Sequence, residues 1–403
     1  MRDPLPEERV DGRRAALTVA MVVAAVAALA LSRPRLAGTI GVLVAIIGMI
    51  MLHELGHFVM AKRAGMKVTE FFLGFGPRLW SFRRGETEYG VKAIPAGGYV
   101  RIIGMSNVEE IDPADEERTY RAKPYRHRLG VAVAGSAMHF IIASVLLFLV
   151  YAVAGLPSAR PVVDYIQPGF PAAASDFRVG DRIVAINGQK VDEWDDVPDY
   201  VQSHGEDRLV FTVERDGGRL DIALTPRMET VGDRQVPKVG VGPKIFLKRE
   251  NVPVAIGRTV GDMPRFTWAT IRALGGIFSP SGVENYTDLL TGRGGDDSGR
   301  LLSPVGAARV AGDAVESGWA AVLMFLFAIN VFVGVFNMVP LLPLDGGHVA
   351  IATYEKIAST VTRRRVQVDV ARLMPITAAV LLVLVVMGIS ALYLDIVNPV
   401  EGP

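Results

Sequence analysis

The sequence predicts a membrane protein. Its fold class is mainly an α-helical transmembrane bundle of about five spans, with a membrane-associated β element and a small extracytoplasmic α+β domain. Three observations carry this. First, 50% of the residues are hydrophobic and they are segregated into long runs: Ala15–Leu31, Ala37–Ala61, Leu129–Gly155, Ser317–Leu344 and Leu373–Leu394. A bilayer core takes roughly 20 helical residues, with about 17 as a lower limit. Second, strand-length alternation and turn signals replace apolar runs between the third and fourth stretches. Third, Lys and Arg gather on alternate loops.

The first run only just reaches spanning length. Arg13-Arg14 in front of it is compatible with a signal peptide, but no cleavage site precedes Ser32-Arg33-Pro34, so it is read as a first span. Basic residues at the N-terminus (Arg2, Arg9, Arg13, Arg14), between Lys62 and Arg128, and at Lys356 and Arg363–Arg365 place these segments in the cytoplasm. Residues 156–316 and the C-terminus then lie outside, with Arg33 and Arg35 as a local exception. The expected organisation is a cytoplasmic N-terminus and extra span (1–36), a first membrane part (37–155), an extracytoplasmic domain (156–230), a linker with an amphipathic helix (231–316) and a second membrane part (317–403).

Composition also excludes functions. With 43 Lys+Arg against 42 Asp+Glu and no sustained basic face, no nucleic-acid partner is expected. The absence of cysteine rules out disulfides and thiol chemistry, and leaves any zinc to His and carboxylate ligands.

After the second run, aromatics and glycines alternate: Phe71–Gly76, Trp80–Phe82, Tyr89–Val91 and then Ile94–Val100. Arg84-Gly85 reads as a hairpin turn, and the aromatic density suggests strands at the membrane interface. A plain cytoplasmic β subdomain is the simpler alternative. The acidic stretch Glu109–Glu117 reads as a solvated loop.

In the extracytoplasmic segment, Val162–Ile166 is a strand and Gly180–Gly188 reads turn, strand, turn. A helix is expected from Asp195 to Ser203, then a hairpin of Leu209–Glu214 and Arg219–Thr225 about Asp216-Gly217-Gly218. This order, with its Val-Gly-Asp…Ile-Asn-Gly pattern, resembles a PDZ domain, a fold that captures extended peptides at a sheet edge. Asn251–Ile277 reads as an amphipathic helix, and Pro280–Arg300, rich in Gly, Ser and Asp, as a mobile loop.

The chemistry concentrates in the second run, where His53-Glu54-Leu55-Gly56-His57 interrupts an otherwise apolar helix. Insertion scales charge about 2.5–3.5 kcal/mol for an acidic residue at a span's centre, so Glu54 needs a reason to be there. Histidines at i and i+4 share a helical face and can hold Zn²⁺, with the intervening glutamate placed as general base. Zinc lowers the pKa of a bound water towards about 7. A third ligand is expected from Asn337–His348, where Pro340 and Pro343 break regular helix and Gly346-Gly347 loosens it further. Asp345, the acid of that stretch, is the leading candidate and His348 competes with it. In the proposed topology His57 and Asp345 both lie near the cytoplasmic face. At about 1.5 Å per residue, His57 is within roughly 10 Å of the exit at Lys62.

His-Glu-Leu-Gly-His in one span and Asn-x-x-Pro-x-x-Pro-Leu-Asp-Gly-Gly in a later one closely resemble the site-2 protease family of intramembrane metalloproteases. Tyr89–Tyr99 and the PDZ-like insert are similar to its bacterial regulated-intramembrane-proteolysis branch, and the resemblance runs from about Ala37 to Pro399. It implies zinc as cofactor, His53, His57 and Asp345 as metal ligands, and Glu54 as base. It further implies that Asn337 helps hold the substrate backbone and that the strand bearing Gly97 and Gly98 presents an edge to an unwound substrate. Where relatives carry Gly-Pro-x-x-Asn, this chain has Gly135–His139, so His139 takes the Asn position as a structural or substrate-orienting group. The extra first span also departs from the common four-span pattern.

The expected activity is therefore zinc-dependent endoproteolysis of transmembrane segments in the cell membrane. Anti-sigma factors trimmed by an upstream site-1-type protease, or remnant signal peptides, are the substrates the resemblance implies, with lipid as the surrounding partner. The PDZ-like domain would filter bulky, untrimmed substrates. A membrane-anchored zincin cutting soluble proteins, or a non-catalytic PDZ adaptor, are the alternatives.

Overall fold

The computed structural model describes residues 34–105, 110–231, 234–294 and 300–398. The expected span Ala15–Leu31 lies outside them. Two compact units result: Tyr151–Asn251, and one assembled from the described residues on either side of it.

Among the described residues, four helices are long and apolar enough to cross a membrane: Ala37–Arg63, Tyr125–Ala154, Trp319–Phe336 and Val370–Val397. The first belongs to α1 (Pro34–Arg63), which ends on Lys62 and Arg63, where basic side chains complement the C-terminal dipole. α2 (Tyr125–Leu149) continues through a π turn at Val150–Ala154. Close approach of α1 and α2 is enforced by Gly56, where a Cβ would lie 2.6 Å from the Ala134 carbonyl oxygen.

Between these helices lie β1 (Val68–Arg84) and β2 (Thr87–Ile102), joined at Gly85-Glu86 with Arg84 opposite Thr87. Gly85 sits at φ +65°, the left-handed region such a turn requires. Both strands double back, so Phe72 has Tyr99 on one side and Gly90 on the other. A buried cluster of Ala61, Met66, Val68, Ile102, Tyr120 and Val131 ties this sheet to the ends of α1 and α2. Glu86 sits between Lys62 and Arg118; burial opposes its ionisation, but the two cations outweigh this and hold its carboxyl below the usual range.

The Tyr151–Asn251 unit comprises β3 (Leu156–Ile166), β4 (Arg182–Ile186), β5 (Gln189–Lys190), α3 (Asp196–His204), β6 (Leu209–Arg215), β7 (Gly218–Leu224), β8 (Arg227–Val231), β9 (Arg234–Lys238) and β10 (Val241–Lys248). The main sheet runs β10-β3-β4-β6-β7, with β5 on β4 and β8-β9 as a separate hairpin. Its core gathers Val163, Ile183, Ile186, Val197, Val201, Leu209, Phe211 and Val213, the inward halves of alternating strands plus one face of α3. The β6–β7 turn has Asp216 and Gly217 both at positive φ, as a tight hairpin needs. The compact unit therefore reaches past residue 230 into the segment read as linker. That segment holds β9 and β10, whose prolines and glycines masked their extended character.

α4 (Val252–Ile277) is the expected amphipathic helix. The segment after it corrects a second expectation, because Pro280–Thr291 forms a helix, α5, and not a loop. Ser279 caps it by accepting from the Gly282 N–H, Pro280 occupies the first turn and Gly292 closes it in the left-handed region. α6 (Pro304–Ser317) leads into α7 (Trp319–Phe336). The expected span to Leu344 is cut short at Phe336, where irregular chain begins. α8 (Asp345–Thr362) and α9 (Met374–Val397) complete the fold. A buried ion pair, Arg300 with Asp395 at 2.6 Å, together with the Ser303 N–H donating to Asp395, ties the end of α9 to the start of α6.

Candidate metal centre

His53 and His57 follow each other by one turn on α1, and both are buried. The His57 Nδ1–H donates to the Val131 carbonyl of α2 at 2.7 Å, which leaves Nε2 free as a lone-pair donor. The two Nε2 atoms stand 3.2 Å apart.

The third member arrives from a different kind of backbone. Asp345 opens α8 and does not end the preceding span, so its carboxylate lies at a helix N-terminus that favours negative charge. Prolines 340 and 343 end regular helix after α7, and Gly346 and Gly347 then let the chain wrap tightly rather than loosening it. A Cβ on Gly346 would lie 2.3 Å from both the Met338 and Val339 carbonyl oxygens; one on Gly347 would lie 2.6 Å from the Leu342 nitrogen. The Gly346 N–H donates to the Asn337 carbonyl at 2.7 Å and the Leu344 N–H to Leu341 at 2.9 Å. Irregular backbone at membrane depth is tolerated when its polar groups are satisfied internally in this way.

Asp345 Oδ2 lies 3.5 Å from His53 Nε2 and 3.3 Å from His57 Nε2. It is buried and has no hydrogen-bond partner among the described residues. Two imidazole nitrogens and a carboxylate oxygen thus converge within 3.5 Å of one another. Tetrahedral zinc with bonds of about 2.0–2.1 Å sets neighbouring ligand atoms about 3.3 Å apart. The triangle has that size, so the residues fit a zinc ion. His53, His57 and Asp345 form the one such cluster found among the described residues.

The surroundings are glycine-lined. A Cβ on Gly135 of α2 would lie 2.3 Å from His57 Nε2 and 2.4 Å from His53 Cε1, so only glycine lets α2 pass the imidazoles. Glu54 is half-buried, and a Cβ on Gly98 would meet its Cγ at 3.4 Å and the Met51 sulfur at 2.7 Å. The β2 strand therefore crosses Glu54 at a residue without a side chain. Gly97, at φ +138°, turns the strand beside Phe75. His139 is buried with its ring 5.0 Å from that of His53, and its Nδ1 is 2.8 Å from Asn330 Oδ1. Asn330 is fully buried and donates to the Leu326 carbonyl at 2.8 Å. Asn337 caps α7 through its backbone. His348 is not in the cluster; it packs edge-on against Tyr120.

Gly135 and Asn330 were not singled out from the sequence. Gly135 matters through an approach between helices, which no local pattern reports. Asn330 had a signal: an amide within an apolar span needs a polar partner.

Two imidazoles and a carboxylate gathered beside membrane-length helices, with a glutamate next to the first imidazole, could hold a metal ion in a membrane protein. The chain belongs to peptidase family M50, whose model matches residues 41–384. It is 34% identical to "Zinc metalloprotease Rip1" of Mycobacterium tuberculosis over 89% of this chain and 96% of that protein. The Rip1 of Mycolicibacterium smegmatis is 33% identical over the same shares. Among solved structures, the PDZ domain of an SdrC-like protein from Listeria monocytogenes matches 20% of this chain and 84% of that chain, at 18% identity and a TM-score of 0.18.

Proposed function

We propose that this chain is an intramembrane zinc metalloendopeptidase that cuts transmembrane segments of membrane proteins. The observation that carries this reading is the triangle of His53, His57 and Asp345, sized for zinc and drawn from the membrane-length α1 and the start of α8. When bound, zinc supplies Lewis acidity and an acidified water at neutral pH.

The chain's own residues do the rest. His53, His57 and Asp345 hold the metal, and the Val131 carbonyl fixes the His57 ring in the donating tautomer. Glu54, beside the two imidazoles, takes the proton from the attacking water and passes it to the leaving amine. A helical substrate hides its carbonyls, so it must be extended before attack. The β2 run from Gly98 is paired with β1 on one side, and the bare Gly98 leaves backbone close to Glu54, where an extended substrate can lie. Asn337 holds the substrate backbone, and His139, oriented by Asn330, contacts it from α2.

Lys62, Arg63 and the basic loop at 363–365 support a cytoplasmic position for this end of the bundle, with the 151–251 unit outside. Cleavage then falls near the cytoplasmic face. Anti-sigma factors shortened by a site-1-type protease and remnant signal peptides suit such a site, with lipid surrounding the helices. A non-catalytic adaptor would have no use for three converging ligand atoms.

The test is Glu54→Gln in the full chain, with a single-span membrane reporter. Cleavage falls by at least about a thousandfold while zinc content stays unchanged. Undiminished cleavage overturns the mechanism.

A further inference from the structure

Helices in a bilayer gain nothing by exchanging lipid for another apolar surface, so they associate where close packing is possible. The start of α1 offers such a place. An apolar groove of about 440 Å³ runs between α1 and the α6–α7 junction, floored by Gly38, Gly41, Val42 and Ala45 and walled by Trp319 and Val322. Its two glycines differ. Gly38 serves a helix contact, since a Cβ there would lie 2.4 Å from Val315 Cγ1 of α6. Gly41 is exposed, and a Cβ on it would meet no described atom within 4 Å. Trp319 is 76% exposed, which leaves its indole free to cover a segment entering beside it. Ala45 is eight residues from His53, about 12 Å of helix, so the groove is separate from the metal centre.

The chain that precedes α1 supplies the occupant. Leu31 closes the expected span Ala15–Leu31, and only Ser32 and Arg33 separate it from Pro34, where α1 begins. Three Cα–Cα steps reach at most about 11 Å, little more than the 8–10 Å between packed helix axes. A span on the N-terminal side of Pro34 must therefore run back beside the first turns of α1, where the groove lies. Its sequence suits a narrow seat. Ala16, Ala20, Ala24 and Ala28 recur at every fourth position, the spacing of one helical face. Ala24 lies seven residues before Leu31 and Gly41 seven after Pro34, so an antiparallel pair sets them at the same level.

We propose that Ala15–Leu31 seats its alanine face in this groove, antiparallel to α1. The proposal rests on reading these residues as a span. The extra span is then a wall of the bundle, and it closes this flank of the His53- and His57-bearing helix to other transmembrane segments.

The chain has no cysteine, so cysteine pairs report the seat in the full chain in membranes. Ala24→Cys with Val322→Cys forms an intramolecular disulfide on mild oxidation, read by mass spectrometry as a linked peptide from protein that runs as a monomer. Ala24→Cys with Val145→Cys is the control, because Val145 is exposed on α2 and does not line the groove; it links at least about tenfold less. Gly41→Leu fills the groove and cuts the Ala24→Cys/Val322→Cys linkage at least about tenfold, with zinc content unchanged. Equal linkage of the two pairs, or none between Ala24→Cys and Val322→Cys, overturns the proposal and leaves the groove to lipid. A covalent dimer formed by Val322→Cys alone overturns it in favour of a second copy of this chain. If Gly41→Leu fails to insert, the cysteine pairs decide alone, and none of these readouts depends on proteolysis.

Discussion

The two sides of the proposed metal centre are built on opposite principles. On one side, α1 is an unbroken helix, and the spacing of His53 and His57 alone puts both imidazoles on one face. On the other, the chain abandons helix after Phe336, satisfies its own backbone through a tight turn, and restarts at Asp345. The helical side depends on its side chains and on the room that Gly135 leaves them. The turn depends on Gly346 and Gly347, since backbone passes where any side chain would sit. The proposed metal ion needs both.

This contrast can be pressed from either side. Gly135→Val should have the largest effect, because its side chain would invade the space of both imidazoles: zinc content and reporter cleavage are both lost while the chain still inserts in the membrane. Gly346→Ala acts on the turn alone. It should weaken zinc about 10–100-fold, read by chelator competition, with the two histidines left in place. Asn330→Leu removes the partner of His139 but no proposed ligand, so cleavage should drop about tenfold at unchanged zinc content. A loss of zinc there would show that His139 belongs to the ligand set.

The smallest effect on the centre is expected from the other unit. Arg215 pairs with buried Asp181 at 2.7 Å. Burial opposes ionisation of Asp181, but the Arg215 hydrogen bond, the Arg178 N–H and the Arg215 charge together outweigh it and hold the carboxyl below its ordinary range. That contribution is present above the unfolded carboxylate value of about 3.9 and is lost as pH falls through the lowered folded one. Arg215→Ala should destabilise the unit at neutral pH by leaving Asp181 without its cation. The deficit should narrow below about pH 4, as Asp181 takes up a proton, while zinc content at neutral pH matches that of the unsubstituted chain. Hydrogen exchange of the β6 amides measures it.

Legibility in the sequence divides along similar lines. Local spacing gave α1, and short-range alternation gave β4, α3 and the β6–β7 hairpin within a residue or two. β10 was hidden because its partner β3 is distant in sequence and Pro243 reads as a breaker. α5 was misread through composition, although Ser279, Pro280 and Gly292 are ordinary start and stop signals. In the centre itself, Asp345 was visible as an acid in an apolar stretch. Its place at the start of a helix was not, because that depends on how the turn folds back. Gly135 was visible only as a letter in a motif, since its meaning is a distance to another helix.

The central claim is that zinc is held jointly by the α1 histidines and the aspartate of the turn. Zinc per chain, measured by mass spectrometry on purified Asp345→Ala, His348→Ala and His139→Ala, tests it most directly. The account predicts that zinc is lost from Asp345→Ala alone. Zinc retained in Asp345→Ala, or lost from His348→Ala, would contradict it.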